Sequence, residues 1–277
     1  MIIFDNHLHL RRDGRFIDAA KEFKKAGGTH FVLCQYPMPD KVLENKSYLP
    51  SYRETISMAE EVEKKVGIKV FVTVGPYPVD YILFNKRIGR LKAVEMMEKG
   101  MEDAATLCLE NERCIAIGEI GRPHFPVDDE VLTDSNEILQ YGMECARDAD
   151  VPVVLHTEST TPKLCKELVE MGKRAGLKPE KIVKHFSPPL VLFEENYGLT
   201  PSILASRKNI TFAIEKGTRF LMETDYIDDP NRPGAVLGPK TVPKLTLKLI
   251  EQGLMTEDQA YKIHKENPER IYNISME

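Results

Sequence analysis

Short apolar runs alternate with longer amphipathic stretches along the whole chain of 277 residues. Each run has the length of a buried strand, and each following stretch has the spacing of a helix with one apolar face. Repetition of this unit predicts an α/β protein built on a parallel sheet. The predicted strands cover residues 2–7, 31–35, 69–74, 114–119, 151–156, 181–185, 200–204 and 220–224.

Eight such units predict a closed TIM-type (β/α)8 barrel, which commonly runs to about 250 residues as a single domain. The apolar content of 42% can fill one large core, so we expect residues 1–277 to form one domain. The pattern is least regular over 187–217, where prolines interrupt it. There we predict a short helix at 190–196, the seventh strand and a helix at 207–216. Residues 225–240 are polar and rich in proline and glycine, which predicts a long functional loop.

Charge and cysteine usage exclude several classes of protein. The net charge is −5, and the basic residues are scattered, so no duplex-binding surface is expected. The five cysteines are odd in number and form no CxxC pair, which favours reduced thiols and a cytoplasmic location. No stretch approaches the roughly 20 apolar residues of a membrane span. The first residues carry no charged leader followed by an apolar segment, so no signal peptide is expected.

Six polar residues stand where the apolar runs end. In a barrel of parallel strands, these ends meet at one mouth, where catalytic groups lie. Imidazole nitrogens and carboxylate oxygens are the ligands of borderline divalent cations such as zinc, so the six residues predict a metal site. Alternate side chains of a strand share one face, and a histidine pair two residues apart therefore points at one ion. The six residues are His7, His9, Glu119, His156, His185 and Asp225.

Neighbouring polar residues leave alternatives open. Glu223 and Glu158 lie close to predicted ligands in the sequence, and each either supports a ligand or is an ordinary solvated side chain. His30 precedes its strand and His264 belongs to a terminal helix, so we expect both to be structural.

The motifs around these residues resemble the TatD-related branch of the amidohydrolase superfamily of metal-dependent hydrolases. They are DNHLH (5–9), IGEIG (117–121), VVLHTE (153–158), KHFS (184–187), METD (222–225) and ENPERIY (266–272). The resemblance spans nearly the whole chain. Its order and spacing are specific for the superfamily, although each motif alone is weak. After GEIG the family usually continues with Leu and Asp, whereas this chain has Arg122, Pro123 and His124.

The resemblance implies a site for two divalent metal ions, most simply zinc, with manganese or magnesium as alternatives. His7, His9, Glu119 and Asp225 would surround one ion, and Glu119 would bridge to a second ion held by His156 and His185. Such ions generate hydroxide from water at neutral pH. Asp225 would orient that water and accept its proton as a catalytic residue, with Glu119 as the second catalytic residue.

Family members act on phosphodiesters, so the resemblance implies a nuclease (deoxyribonuclease) acting on single-stranded DNA or a nucleotide. Arg122 and His124 follow Glu119 closely and are the predicted substrate-binding residues, since cations bind phosphate oxygens. An acidic chain suits a single-strand end or a small molecule better than a duplex. One alternative is hydrolysis of a carboxylic ester, lactone or cyclic amide, and another is a non-catalytic metal- or ligand-binding barrel.

Overall fold

A sheet of nine parallel strands forms the centre of the protein in the computed structural model, which describes all residues 1–277. The strands lie in the order β8-β7-β6-β5-β4-β3-β2-β1-β9, so chain neighbours are sheet neighbours throughout β1 to β8. Every pair is parallel. The strands are β1 Phe4–His9, β2 His30–Cys34, β3 Lys69–Val74, β4 Cys114–Gly121, β5 Val153–His156, β6 Ile182–Ser187, β7 Thr200–Leu204, β8 Leu221–Glu223 and β9 Tyr226–Ile227.

The eighth strand is broken in two, and its second half closes the sheet. β9 follows β8 after only Thr224 and Asp225, yet it pairs with β1. The amide of Asp225 donates to the carbonyl of His7 at 2.9 Å, which joins the break to β1 as well. Asp225 has a φ of 48°, and this left-handed residue turns the chain from one edge of the sheet to the other.

Helices follow the strands and cover the outside of the sheet. They are α1 Ile17–Lys25, α2 Pro39–Asn45, α3 Leu49–Val66, α4 Asp80–Ile88, α5 Arg90–Glu110, α6 Asp129–Asp148, α7 Pro162–Ala175, α8 Phe193–Asn196, α9 Arg207–Lys216, α10 Thr241–Glu251, α11 Glu257–Tyr261 and α12 Asn267–Tyr272. A 3-10 turn at Pro179–Lys181 precedes β6, and a π-helical turn at Lys262–Glu266 joins α11 to α12.

Local capping explains several of the helix boundaries. The side chains of Asp128, Thr161 and Ser206 accept amide hydrogens of the first turns of α6, α7 and α9. Gly67 and Gly176 end α3 and α7 in the left-handed conformation. Each cap satisfies backbone groups that would otherwise lack a partner at a helix end.

Three clusters of buried apolar side chains form the core. The largest packs outward faces of the strands against the helices, with Leu33, Val72 and Val153 among its members, and a second packs Ile203 and Met222 against α9 and α10. The smallest contains Phe4, Phe71 and other residues of the opposite strand faces, together with the C-terminal residues Ile271, Tyr272 and Met276. The inside of the barrel is therefore a packed core rather than a pore, as expected for this architecture.

The structure confirms the predicted TIM-type (β/α)8 barrel, with three local corrections. The predicted eighth strand at 220–224 is interrupted, the first strand covers Phe4–His9 instead of 2–7, and the helix predicted at 190–196 is reduced to one turn, Phe193–Asn196. None of the helices combines the length and apolar composition that a membrane span requires.

Candidate metal centre

The six predicted ligands lie together at the C-terminal ends of the strands. His7 and His9 end β1, Glu119 lies in β4, and His156 and His185 lie at the ends of β5 and β6. Asp225 occupies the break between β8 and β9. All of them are buried except His156, whose side chain is 18% exposed and faces the mouth of the barrel.

Glu119 lies at the middle of the group. Its Oε1 atom is 3.2 Å from Nε2 of His7, 3.1 Å from Nε2 of His185 and 3.5 Å from Nδ1 of His156. Its Oε2 atom is 4.0 Å from Nε2 of His9. One carboxylate thus faces four imidazoles with both of its oxygens, which is the position that a bridging ligand requires.

Asp225 completes one side of the group. Its Oδ1 atom is 3.8 Å from Nε2 of both His7 and His9. Donor atoms of His7, His9 and Asp225 lie within 4.8 Å of one another, and so do donor atoms of Glu119, His156 and His185. These two triads match the two halves of the ligand set that the sequence resemblance implies.

Three of the imidazoles are held by their outer nitrogens. Nδ1 of His9 lies 3.2 Å from the carbonyl oxygen of Cys34, and Nδ1 of His7 lies 3.2 Å from the Sγ of the same residue. Nδ1 of His185 lies 3.0 Å from Oε1 of Glu223. An imidazole that donates through Nδ1 keeps a lone pair on Nε2, and in each case this Nε2 points at Glu119. The donor set therefore fits a divalent cation.

Glu223 supports the centre through hydrogen bonds to both of its carboxylate oxygens. Besides His185, its Oε1 atom accepts the amide hydrogen of Phe186 at 2.8 Å, and its Oε2 atom accepts the hydroxyl of Ser202. Glu223 is fully buried, so it is a support of His185 and not a solvated side chain. Glu158, the other open case, pairs at 2.7 Å with Arg122 and is 46% exposed.

Burial and mutual charge set the ionisation of the centre. Burial lowers the pKa of His9 and of His185 to about 4, which keeps both rings in the neutral form that binds metals. Burial opposes ionisation of Glu119, but the charge of the His7 ring and the hydrogen bonds from His156 and His7 lower its pKa well below its usual value. Burial raises the pKa of Asp225 to about 8. A buried acid of this kind is stabilised as a carboxylate when a cation lies beside it.

A cavity of about 310 Å³ opens above the centre. Glu119, His156, His185 and Asp225 lie in its wall, and Tyr36, Tyr77 and Arg232 form its polar rim. A larger cavity of about 750 Å³ adjoins it at Tyr36 but contains none of the six residues. The donor groups, and not the volume, therefore identify the smaller cavity as the candidate site.

The predicted substrate-binding residues lie outside the wall of this cavity. Arg122 is 3% exposed, and its guanidinium donates to Glu158 and Glu167 at 2.7 Å each. His124 is exposed, with Nδ1 at 2.9 Å from Nε2 of His156. Contact of either residue with a substrate stays a prediction. Arg232 is the basic residue that lies in the cavity wall, 56% exposed and 3.1 Å from Asp229.

Three residues of the site were not predicted from the sequence. Cys34 ends β2 and contacts two histidines, as described above, and Ser202 of β7 supports Glu223. The hydroxyl of Tyr77 lies 3.3 Å from Nε2 of His156. Cys34 and Tyr77 both lie at or after the ends of apolar runs, which is the signal that identified the six ligands. A single cysteine or tyrosine at such a position does not by itself indicate a metal site, so neither residue was predicted.

Two sequence comparisons match this chain over nearly its whole length. The family model described as TatD related DNase matches residues 4–273. An uncharacterized protein of Methanocaldococcus jannaschii is 42% identical over 277 residues, covering 99% of this chain and 97% of that protein.

Three solved structures of similar fold are an organophosphorus hydrolase, a lactonase variant and a TatD-like protein. The organophosphorus hydrolase of Deinococcus radiodurans has a TM-score of 0.66 at 14% identity, with 98% of this chain and 92% of that chain covered. A variant of a PTE-like lactonase from the same organism has a TM-score of 0.66 at 14% identity, with 98% and 95% covered. A TatD-like protein of Archaeoglobus fulgidus has a TM-score of 0.58 at 19% identity, with 98% and 100% covered.

Proposed function

The chain belongs to the TatD-related DNase family of metal-dependent hydrolases, and from that premise we propose that it cleaves phosphodiester bonds in single-stranded DNA or in a nucleotide. The observation that carries the proposal is the convergence of four imidazoles on Glu119 beneath a cavity that also holds Arg232. A guanidinium next to a cation site suits an anionic substrate, because it binds phosphate oxygens in charge-assisted hydrogen bonds.

The ligand assignment follows the two triads. His7, His9, Glu119 and Asp225 would hold one ion, and Glu119, His156 and His185 would hold the other. Zinc is the proposed metal, and manganese or magnesium are alternatives because nitrogen-rich sites bind several divalent ions. When bound, such ions make water acidic enough to deprotonate at neutral pH and neutralise charge on the phosphoryl oxygens.

Asp225 and Glu119 are the proposed catalytic residues. Asp225 is held in place by its own amide, which donates to the carbonyl of His7 at 2.9 Å. Its side chain is 10% exposed and lies in the cavity wall, where it can orient the attacking water and accept the proton of that water. The same group can then return the proton to the leaving oxygen. Glu119 keeps the imidazoles aligned by facing all four of them.

Residues of the rim would hold the substrate. Arg232 and the hydroxyl of Tyr77 lie where a non-bridging phosphoryl oxygen could accept hydrogen bonds. Arg122 and His124 remain proposed contacts of a longer substrate on the loop after β4. The net charge of −5 favours the entry of one strand end over the binding of a duplex along a broad face.

Hydrolysis of a carboxylic ester, lactone or cyclic amide is the second candidate. It is favoured by the fold similarity to a PTE-like lactonase. It is also favoured by the cavity volume of about 310 Å³, which lies at the lower end of the range for small-molecule pockets. The attack on a carbonyl carbon needs the same water and the same proton acceptor. A barrel that binds a metal or a ligand without turnover is the third candidate.

A substrate panel separates the three candidates. Metal-reconstituted protein and a chelated control would be assayed on bis-p-nitrophenyl phosphate, labelled single-stranded DNA, lactones and dihydropyrimidines. We expect phosphodiester cleavage that is lost in His7→Ala and kept in His30→Ala, because the His30 ring bonds only Thr29 at the opposite end of the barrel. Turnover of carbonyl substrates alone would support the second candidate, and no turnover at all would support the third.

A further inference from the structure

Phe186 combines two unfavourable features at the edge of the metal centre. It directly follows His185, and the two ring centroids are 5.8 Å apart. Its side chain is half exposed although it is a large apolar group, and its φ is 53°, in the left-handed region. That region is disfavoured for bulky side chains and is usually occupied by glycine or asparagine. An exposed phenylalanine in this conformation contributes little to the fold.

The position of Phe186 is fixed by the support of the metal centre. Its amide donates at 2.8 Å to Oε1 of Glu223, the same oxygen that holds His185. The register of β6 against β7 shifts between Lys184 and Ser187, so Phe186 lies in an irregular step of the strand. The carboxylate therefore holds the backbone of Phe186 and the ring of His185 together, and the side chain of Phe186 starts from a fixed point beside the centre.

Other aromatic rings continue the surface next to the cavity. His156 lies 5.8 Å from His185, His124 lies 5.0 Å from His156, and Phe125 lies 5.1 Å from His124, measured between centroids. Phe125 is 41% exposed. Exposed rings thus flank the two histidines that line the cavity. A comparable exposed residue, Phe212, lies on α9 under the ammonium group of Lys216 and has no such neighbours.

We infer that Phe186 is a stacking platform for the nucleobase next to the cleaved phosphodiester. The inference rests on the proposed function, and it assigns to Phe186 the binding of a part of the substrate other than the phosphate. A nucleobase offers a flat apolar face to an exposed ring, and such stacking tolerates every base. Phe186 is then a positioning and specificity residue, because it touches the part of the substrate that does not react.

Kinetics on two esters with the same leaving group test the inference. One is the p-nitrophenyl ester of thymidine 5′-monophosphate, and the other is methyl p-nitrophenyl phosphate, which lacks a base. We expect Phe186→Ala to lower kcat/KM for the thymidine ester by about 5-fold to 150-fold, the range for stacking of one base, and to leave the methyl ester unchanged. Phe186→Tyr should restore discrimination, and Phe186→Leu should not. Phe212→Ala, of matched exposure, should change neither ester.

An equal loss for both esters, or no loss for either, would overturn the inference. If the wild type cleaved neither ester, the proposed function would fail, and a measurement without turnover would decide the inference. The chain contains no tryptophan, so Phe186→Trp introduces a single fluorescent reporter. We expect saturable quenching by thymidine 5′-monophosphate and none by deoxyribose 5-phosphate. Quenching that is absent, or that is equal in a Phe212→Trp control, would contradict stacking at this position.

Discussion

Replacement of Glu223 tests whether this carboxylate holds the imidazole of His185 in the orientation and tautomer that bind a metal. Glu223 lies two residues before Asp225 and outside the cavity wall, and it accepts from Nδ1 of His185 at 3.0 Å and from the amide of Phe186 at 2.8 Å. Glu223→Ala removes the oxygen that accepts both hydrogen bonds. His185 then has no partner for Nδ1, and nothing selects the tautomer that keeps the Nε2 lone pair directed at Glu119.

The magnitude follows from the number of bonds lost. Loss of a carboxylate behind a metal-binding histidine typically lowers metal affinity by about 10-fold to 100-fold. In the metal-free protein, three donors lose their acceptor, namely the ring of His185, the amide of Phe186 and the hydroxyl of Ser202, at about 1–3 kcal/mol each. Removal of the buried charge of Glu223 partly offsets this loss. Metal affinity is therefore the sharper readout, and competition with a chromophoric chelator measures it.

Glu223→Gln is the matched control. Its amide oxygen can still accept from both donors, and the hydroxyl of Ser202 can rotate to suit the amide nitrogen. We expect its metal affinity to stay within about tenfold of the wild type, well above that of Glu223→Ala. Unchanged affinity in Glu223→Ala would refute the supporting role. An equal loss in both variants would show that the charge itself binds the metal, as a direct ligand does.

Three further predictions concern single residues. Asp225→Asn should retain metal in elemental analysis but lose about 10²-fold to 10⁴-fold in turnover, because an amide cannot accept the proton. Gly121→Ala should destabilise the protein by roughly 3 kcal/mol or more in urea unfolding, because an added Cβ would lie 2.0 Å from the carbonyl oxygen of His156 and φ is 144°. In chelated protein, the stability advantage of Asp80→Asn over the wild type should grow by roughly 3 kcal/mol between pH 5 and pH 8.

The sign of the Asp80 effect follows from its burial. Asp80 is 3% exposed and accepts one hydrogen bond, from Tyr48 at 3.0 Å. Burial raises its pKa from 3.8 to about 7, so the native state keeps a proton that the unfolded chain releases above pH 4. The wild type therefore loses stability as the pH rises from about 4 to about 7, and the neutral asparagine does not.

A specific result would contradict each of these three predictions. Full turnover in Asp225→Asn would show that Asp225 does not accept the proton of the attacking water. A loss of less than about 1 kcal/mol in Gly121→Ala would show that the backbone next to His156 yields easily. A stability difference that is constant across the pH range would show that Asp80 titrates normally in the native state.

The parts of the fold that were predicted most accurately are those with unambiguous local signals. Strands β3 and β7 and helix α9 have the predicted bounds. A buried parallel strand is a continuous apolar run, and its ends are marked by glycine, proline or a capping residue such as Ser206. Even within 187–217, the strand and the helix at 207–216 are confirmed, while the predicted helix at 190–196 is reduced to one turn, Phe193–Asn196.

Backbone conformation and long-range pairing could not be predicted in the same way. The break at Asp225 depends on a left-handed residue that carries a side chain, and no residue pattern marks such a residue. The six ligands were found because they share the ends of strands. Whether Glu223 or Glu158 supports a ligand was left open, because it depends on which side chains the fold brings within hydrogen-bonding distance of each carboxylate.

Arg122 shows the same limit for charged residues. Its place three residues after Glu119 predicts a cation at the mouth, but the structure buries its guanidinium between Glu158 and Glu167 of two other segments. Sequence distance alone does not report such partners. Arg232, in the long loop after β9, is the basic residue that lies in the cavity wall.

The metal content of the reconstituted chain tests the central claim most directly. Stripped protein would be loaded with zinc, desalted and analysed for zinc per chain, next to Glu119→Ala prepared in parallel. Because Glu119 faces all four imidazoles, we predict two zinc ions per wild-type chain and loss of at least one in the variant. Wild-type protein that retains no zinc, or a variant that retains as much as the wild type, would contradict the account.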